Sequence, residues 1–172
     1  MKSARHFQKP FATHINYKHM NFLIMDSPSQ DNVHIFAEEC KRLNVTDVVR
    51  VCESHYSEEA FKDVGINLWH WEFSDGSPPP SDILEKWFQL LKDRFNSQSH
   101  SNGSIAVHCI AGFGRAPVLV AVALMELGMH CEDAIEMIRS KRKGSFNERQ
   151  ISYLTHYRAK SRLYLSQKCF IL

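Results

Sequence analysis

The chain has 172 residues, 44% of them apolar and 23% charged, which suits one compact soluble domain with a hydrophobic core. No stretch approaches the ~18 uninterrupted apolar residues of a membrane span, and Met1 to Thr13 hold no apolar leader, so a cytosolic location is expected. The net charge of +2 hides an asymmetry: between Arg139 and Lys168 nine Lys/Arg face one acid, Glu148, which leaves −6 for the remainder and points to an anionic partner for the C-terminal end.

Phe22 to Met25 is a short apolar run that predicts a buried strand. From Asp31 to Leu43, Val33, Phe36, Ala37, Cys40 and Leu43 recur at helical spacing, with Asp31 as the expected N-cap. Val45 to Val51 is rich in β-branched residues and predicts the next strand; Glu53 to Glu59 predicts a loop. Asn67 to Trp71 is a further strand, ended by Ser74-Asp75-Gly76-Ser77-Pro78-Pro79-Pro80, a cluster that continues neither helix nor sheet. Ser81 is expected to cap a helix running to about Phe95. Ser104 to His108 predicts a strand, and Ala116 to Leu127 an apolar helix ended by Gly128. Helices are also expected from Cys131 to Lys141 and from Asn147 to about Tyr164. Strands alternating with helices predict an α/β fold with a central, mostly parallel sheet.

The five cysteines are scattered and free of CxxC pairs, which fits neither a disulfide framework nor a zinc site. One of them stands out. In His108-Cys109-Ile110-Ala111-Gly112-Phe113-Gly114-Arg115 a cysteine follows a strand, five residues intervene, and an arginine opens a helix. Ligands of open α/β sheets bind beyond the strand ends, where a helix N-terminus offers unpaired N–H groups and a positive dipole. A loop of this length can wrap one tetrahedral anion with the amides of residues Ile110 to Arg115. Gly112 and Gly114 are expected to supply positive φ angles for the curl. The same environment favours the Cys109 thiolate, since thiols at helix N-termini fall from ~8.5 to roughly 3.5–7.5. The Arg115 guanidinium can grip two phosphate oxygens at once, a fork that Lys lacks. His108 emerges from the buried strand and is expected to orient the loop by hydrogen bonds rather than to act as an acid. A leaving oxygen needs a proton, and a carboxyl on a mobile loop is the natural source. Asp75 in the Gly/Pro-rich turn is the first candidate and Glu72 its rival. No metal and no cofactor are expected.

The run from His108 to Ala121 closely resembles the active-site block of the phosphatases of regenerating liver (PRL), small prenylated members of the dual-specificity protein tyrosine phosphatase superfamily. The likeness extends to Tyr17–Leu23, to Val48-Val49-Arg50-Val51-Cys52-Glu53, to Phe73–Pro79 and to Ile138–Asn147. The resemblance implies Cys109 as nucleophile, Arg115 as phosphate binder, Asp75 as general acid, and Cys52 as a redox partner able to form a reversible disulfide with Cys109. Read from the sequence alone, a cysteine at a strand end such as Cys52 is more often a plain core residue. Ala116 stands where most related phosphatases carry Ser or Thr, which implies a fast first step and a slow hydrolysis of the phosphoenzyme. The family usually has Pro and Asp where this chain has Glu72 and Ser74. Phosphoprotein substrates are implied, and some family members dock an acidic loop of magnesium-transport mediators of the CNNM type.

The end, Cys169-Phe170-Ile171-Leu172, matches a prenylation box whose terminal Leu favours geranylgeranyl over farnesyl. Arg158, Lys160, Arg162 and Lys168 are expected to add a second, electrostatic signal for an anionic membrane. The expected organisation is a single phosphatase domain over 1–162 and a flexible tail over 163–172, held peripherally at the plasma membrane or endomembranes. No nucleic-acid motif accompanies the basic segment, so no nucleic-acid partner is expected. The run Arg139 to Lys143 is expected to be a solvated helix face.

Overall fold

A computed structural model describes residues 12–95 and 103–164. Five strands form one sheet in the order β1-β2-β5-β3-β4. β1 (Ala12–Tyr17) and β2 (Met20–Met25) make an antiparallel hairpin, and its turn places Lys18 at a left-handed φ of 51°. β2, β5 (Ser104–His108), β3 (Val45–Arg50) and β4 (Asn67–His70) run parallel. The sheet is therefore mixed, parallel but for its β1 edge. β1 carries no continuous apolar run, because buried Ile15 alternates with polar neighbours, and the sequence signal for it is correspondingly weak.

Strand alternation sorts the side chains onto two faces. Leu23, Met25, Val48 and Ala106 point to one, where α1 (Val33–Arg42) and the short α2 (Glu59–Asp63) cover them. Phe22, Ile24, Val49, Ile105 and Val107 point to the other, beneath α3 (Ser81–Arg94) and α4 (Arg115–Glu126). α5 (Cys131–Lys141) and α6 (Glu148–His156) pack around α4, every residue of which is buried. With both faces covered, the central strands read as near-continuous apolar runs.

Several boundaries differ from the expectation. Asn32, not Asp31, occupies the N-cap of α1, and its Oδ1 accepts from the Ser29 amide at 2.7 Å. Ser81 is the first residue of α3 rather than its cap; Pro80 holds that position. α2 has five residues with Phe61 alone buried, too short for a periodic signal. α4 ends as expected at Gly128, whose φ of 100° lets the Met129 amide reach Leu124 O and its own amide reach Met125 O.

α6 ends at His156, eight residues before the expected Tyr164. The cause is Glu126, a fully buried carboxylate at the end of α4. It accepts the Tyr157 hydroxyl at 2.6 Å and the amides of Lys160 and Arg162 at 3.1 and 2.7 Å, which draws the chain out of helical geometry. Leu163, beyond the expected domain boundary, still packs in the core.

Candidate active site

The register aligns the carboxyl ends of the parallel strands: Met25 and Arg50 both pair with His108, and Arg50 with His70. The loop from Cys109 to Gly114 leaves from this edge and runs into α4. Each of its carbonyls is bound. Cys109 O accepts from His108 Nδ1 at 3.2 Å, Ile110 O from the Ser27 amide at 2.9 Å, and Ala111 O from Arg142 Nη2 at 2.9 Å. Gly112 O accepts from Arg142 Nε at 2.7 Å, Phe113 O from the Phe146 amide at 2.7 Å, and Gly114 O from the Val118 amide at 3.1 Å. In a planar trans peptide the N–H of residue i+1 points opposite to the C=O of residue i. Fixing six carbonyls outward therefore turns the amides of Ile110, Ala111, Gly112, Phe113, Gly114 and Arg115 to the concave side. Their combined dipoles and the N-terminus of α4 make an anion cradle without any added charge.

The two loop glycines serve different ends. Gly112 has a φ of 72°, as expected, and an added Cβ would stand 2.4 Å from Arg142 Nη2 and 2.6 Å from Met25 O. Gly114 has an ordinary φ of −125°, contrary to the expectation for it. Its surroundings are tight, because an added Cβ would lie 3.0 Å from Gln150 Nε2, which would have to give way. Gln150 and Asn147 form the capping box of α6, which wedges this helix start between the loop and Gly76. Gln150 Nε2 is buried and finds no hydrogen-bond partner among the described residues.

Cys109 is buried at the base of the cradle and is a free thiol, as are Cys40, Cys52 and Cys131. Arg115 is 2% exposed. Its Nη1 donates to Phe73 O at 3.0 Å, which orients the guanidinium, while its Nε has no hydrogen-bond partner among the described residues. A buried cationic donor without a hydrogen bond is costly and calls for an explanation, of which a catalytic or ligand-binding role is one. Two carboxylates flank it: Asp75 Oδ1 at 3.5 Å from Nε and Glu53 Oε2 at 3.7 Å from Nη2. Asp75 is 82% exposed on its turn. Glu72 instead lies 3.6 Å from His70, away from Arg115. A hydrogen bond from its own backbone amide, aided by Arg115, holds the exposed Glu53 below the usual carboxylate range.

His108 is fully buried, and its ring is tied at both nitrogens. Nδ1–H donates to Cys109 O, and Nε2 accepts the Tyr56 hydroxyl at 2.5 Å. Burial pushes its pKa down to about 4, against a smaller opposing effect of the Cys109 carbonyl. The neutral tautomer thus orients the loop. Cys52 lies on the adjoining strand end, its Sγ 3.9 Å from His108 Nδ1. Burial raises its thiol to about 11, with Arg115 pulling the other way and Cys109 adding to the rise.

Arg139, Ser140, Lys141 and Lys143 are exposed, as expected of a solvated face, but Arg142 departs from it. Arg142 is 1% exposed and holds the loop carbonyls, while Arg139 donates to Ser145 O and Phe146 O at 2.8 and 3.3 Å. Beside the Asp75 turn a cavity of about 550 Å³ is lined by Pro78, Arg149, Tyr153, His156 and Arg158 among others. Arg162 sits over the Phe88 ring and 3.9 Å from Glu126 Oε1. Lys168 and Cys169 lie outside the described residues.

The dual specificity phosphatase catalytic domain matches residues 13–160. Over 155 residues the chain is 47% identical to mouse protein tyrosine phosphatase type IVA 3, covering 90% of this chain and 88% of that protein. It is 46% identical to the PRL-1 phosphatase of Drosophila melanogaster, covering 90% and 87%. Among solved structures, a protein tyrosine phosphatase from Leishmania major superposes with a TM-score of 0.77 at 38% identity, covering 86% of this chain and 98% of that one. Kinase associated phosphatase shares the fold, with a TM-score of 0.74 at 19% identity over 92% and 99%.

Proposed function

The chain belongs to the protein tyrosine phosphatase type IVA (PRL) family and is a protein-tyrosine phosphatase; on that footing we propose that it works through a phosphocysteine formed on Cys109. The sulfur attacks phosphorus, the P–O ester bond breaks, and Asp75 gives its proton to the leaving oxygen. Water then attacks phosphorus, Asp75 takes up the water's proton, and the S–P bond breaks to release phosphate. The cradle amides and Arg115 hold the three equatorial oxygens, whose charge is best met in the trigonal transition state. One observation carries this reading: every carbonyl from Cys109 to Gly114 is turned outward by a bond.

Ala116, buried beside the cradle, has no hydroxyl to steady the departing thiolate. Dephosphorylation of the enzyme is then slower than its formation, and rapid mixing with an aryl phosphate gives a burst of alcohol before a slow steady state. Ala116→Ser raises the steady rate and shrinks the burst. Absence of any burst, or full activity in Cys109→Ser, overturns the mechanism. A disulfide between an oxidised Cys109 and the Cys52 thiol would protect Cys109 from overoxidation.

The missing hydroxyl also favours a second reading, in which the cradle and the neighbouring basic cavity dock an acidic loop of a CNNM-type magnesium-transport partner and turnover is incidental. Asp75→Ala separates the two: it stops turnover and leaves docking intact. For location, prenylation of Cys169 together with the basic C-terminal segment would tether the protein at anionic membranes. Cys169→Ser that stays at membranes would exclude the tether.

A further inference from the structure

From the bonds that Arg142 makes we infer that it is a positioning residue for the reaction, orienting the phosphate-facing amides of Gly112 and Phe113 through the carbonyls it holds from behind. The inference rests on the cradle reading above. Arg142 stands 33 positions after the cysteine, in the stretch Ile138–Asn147 to which the phosphatase mechanism assigns no task. It is among the largest fully buried side chains of the protein.

Its guanidinium is fully committed. Nε bonds Gly112 O, Nη2 bonds Ala111 O and Asp26 Oδ1 (2.6 Å), and Nη1 bonds Thr13 Oγ1 at 3.1 Å. Two consecutive peptide planes of the loop are thereby fixed by one rigid, planar group. The loop has no alternative there: Gly112 has no side chain, its φ is left-handed, and the space its Cβ would fill is taken by Arg142 itself. The next carbonyl, Phe113 O, is held by the Phe146 amide from the turn that follows Arg142, and the Phe113 ring lies 4.8 Å from the guanidinium. Half of the six carbonyl anchors therefore come from this one segment.

Charge and orientation make opposite predictions here. Arg142 is ion-paired with Asp26, so the pair adds little net charge beside the cradle. If the pair acted through charge, Asp26→Asn would leave an uncompensated cation and tighten anion binding. If it acts through orientation, Asp26→Asn loosens the guanidinium and weakens anion binding. Lys at 142 keeps the charge but loses the planar fork that spans two carbonyls.

The test is orthovanadate affinity of the full chain, followed by tryptophan fluorescence below the melting point of each variant, with kcat/KM for an aryl phosphate alongside. Arg142→Lys is expected to weaken vanadate about tenfold or more, the scale of losing a group that orients a ligating side chain. Asp26→Asn, a half-exposed position that leaves the guanidinium in place, is expected to shift in the same direction by less. The loss in kcat/KM should follow the loss in vanadate affinity. If Arg142→Lys does not fold, Asp26→Asn decides alone. Unchanged or tighter vanadate binding by either folded variant overturns the inference. Failure of the wild-type protein to bind vanadate would instead overturn the cradle reading.

Discussion

The two ends of α4 carry the same device in two states. At its C-terminal end, backbone amides of Lys160 and Arg162 converge on a carboxylate, Glu126, with the Tyr157 hydroxyl completing the set and Arg162 nearby. At its N-terminal end, about 18 Å away for twelve residues, the loop amides converge with Arg115, beside which stand the exposed carboxylates of Asp75 and Glu53. One cradle is closed by a buried anion from within the chain; the other is open to solvent-exposed carboxylates, Asp75 and Glu53, and its Arg115 Nε lacks a hydrogen-bond partner among the described residues. The closed one is structural, because its anion cannot leave without unfolding the segment. In the proposed mechanism the open one keeps its hydrogen-bonding capacity for the phosphate, where binding free energy can be directed at a transition state.

Changes at the open end should cost catalysis, and changes at the closed end should cost stability. The largest effect expected is from Arg115→Lys, which keeps the charge but loses the bidentate fork: kcat/KM falls on the order of 10³-fold, the scale of removing a preorganised oxyanion donor. Steady-state kinetics with phosphotyrosine peptides measure it, and a loss of only a few-fold would mean the open end is not a transition-state cradle. Next is the pH dependence contributed by His108. Its folded pKa of about 4 lies below the ordinary 6.5, so its contribution to stability is complete above pH 6.5 and is lost as pH falls towards 4. That window holds on the order of 3 kcal/mol. Melting temperature against pH reads it, and His108→Asn flattens the slope.

Asp75→Asn should lower turnover of phosphotyrosine peptides about 10²-fold, the lower range for losing a general acid. An activated aryl phosphate, whose leaving group needs no proton, should lose much less; equal losses would remove Asp75 from that role. The smallest effect is at the closed end. Glu126→Gln is isosteric but weakens three charge-assisted bonds, and should cost about 2 kcal/mol of stability with vanadate affinity unchanged. Burial, then the Glu126 bond and charge, raise the Tyr157 hydroxyl pKa, and Glu126→Gln relieves part of that rise.

The amino-acid sequence by itself determined the features whose signals are local. Cys109 to Arg115 with its strand before and apolar helix after, the stop at Gly128, α5 over Cys131–Lys141 and the Asp75 turn all depend on neighbours a few residues apart. Only the tertiary structure decided the features whose partners are distant. Arg142 looks like any basic helix-end residue until Asp26, 116 positions earlier, and the loop carbonyls remove it from water. The side chain that crowds Gly114, Gln150, comes from across the fold, and α6 stops short because Glu126, more than thirty positions back, takes the amides of Lys160 and Arg162 beyond it. The physical reason is common to all three. A charged or polar group is buried only where another part of the chain meets its hydrogen bonds, and periodicity along the chain carries no record of which part that is.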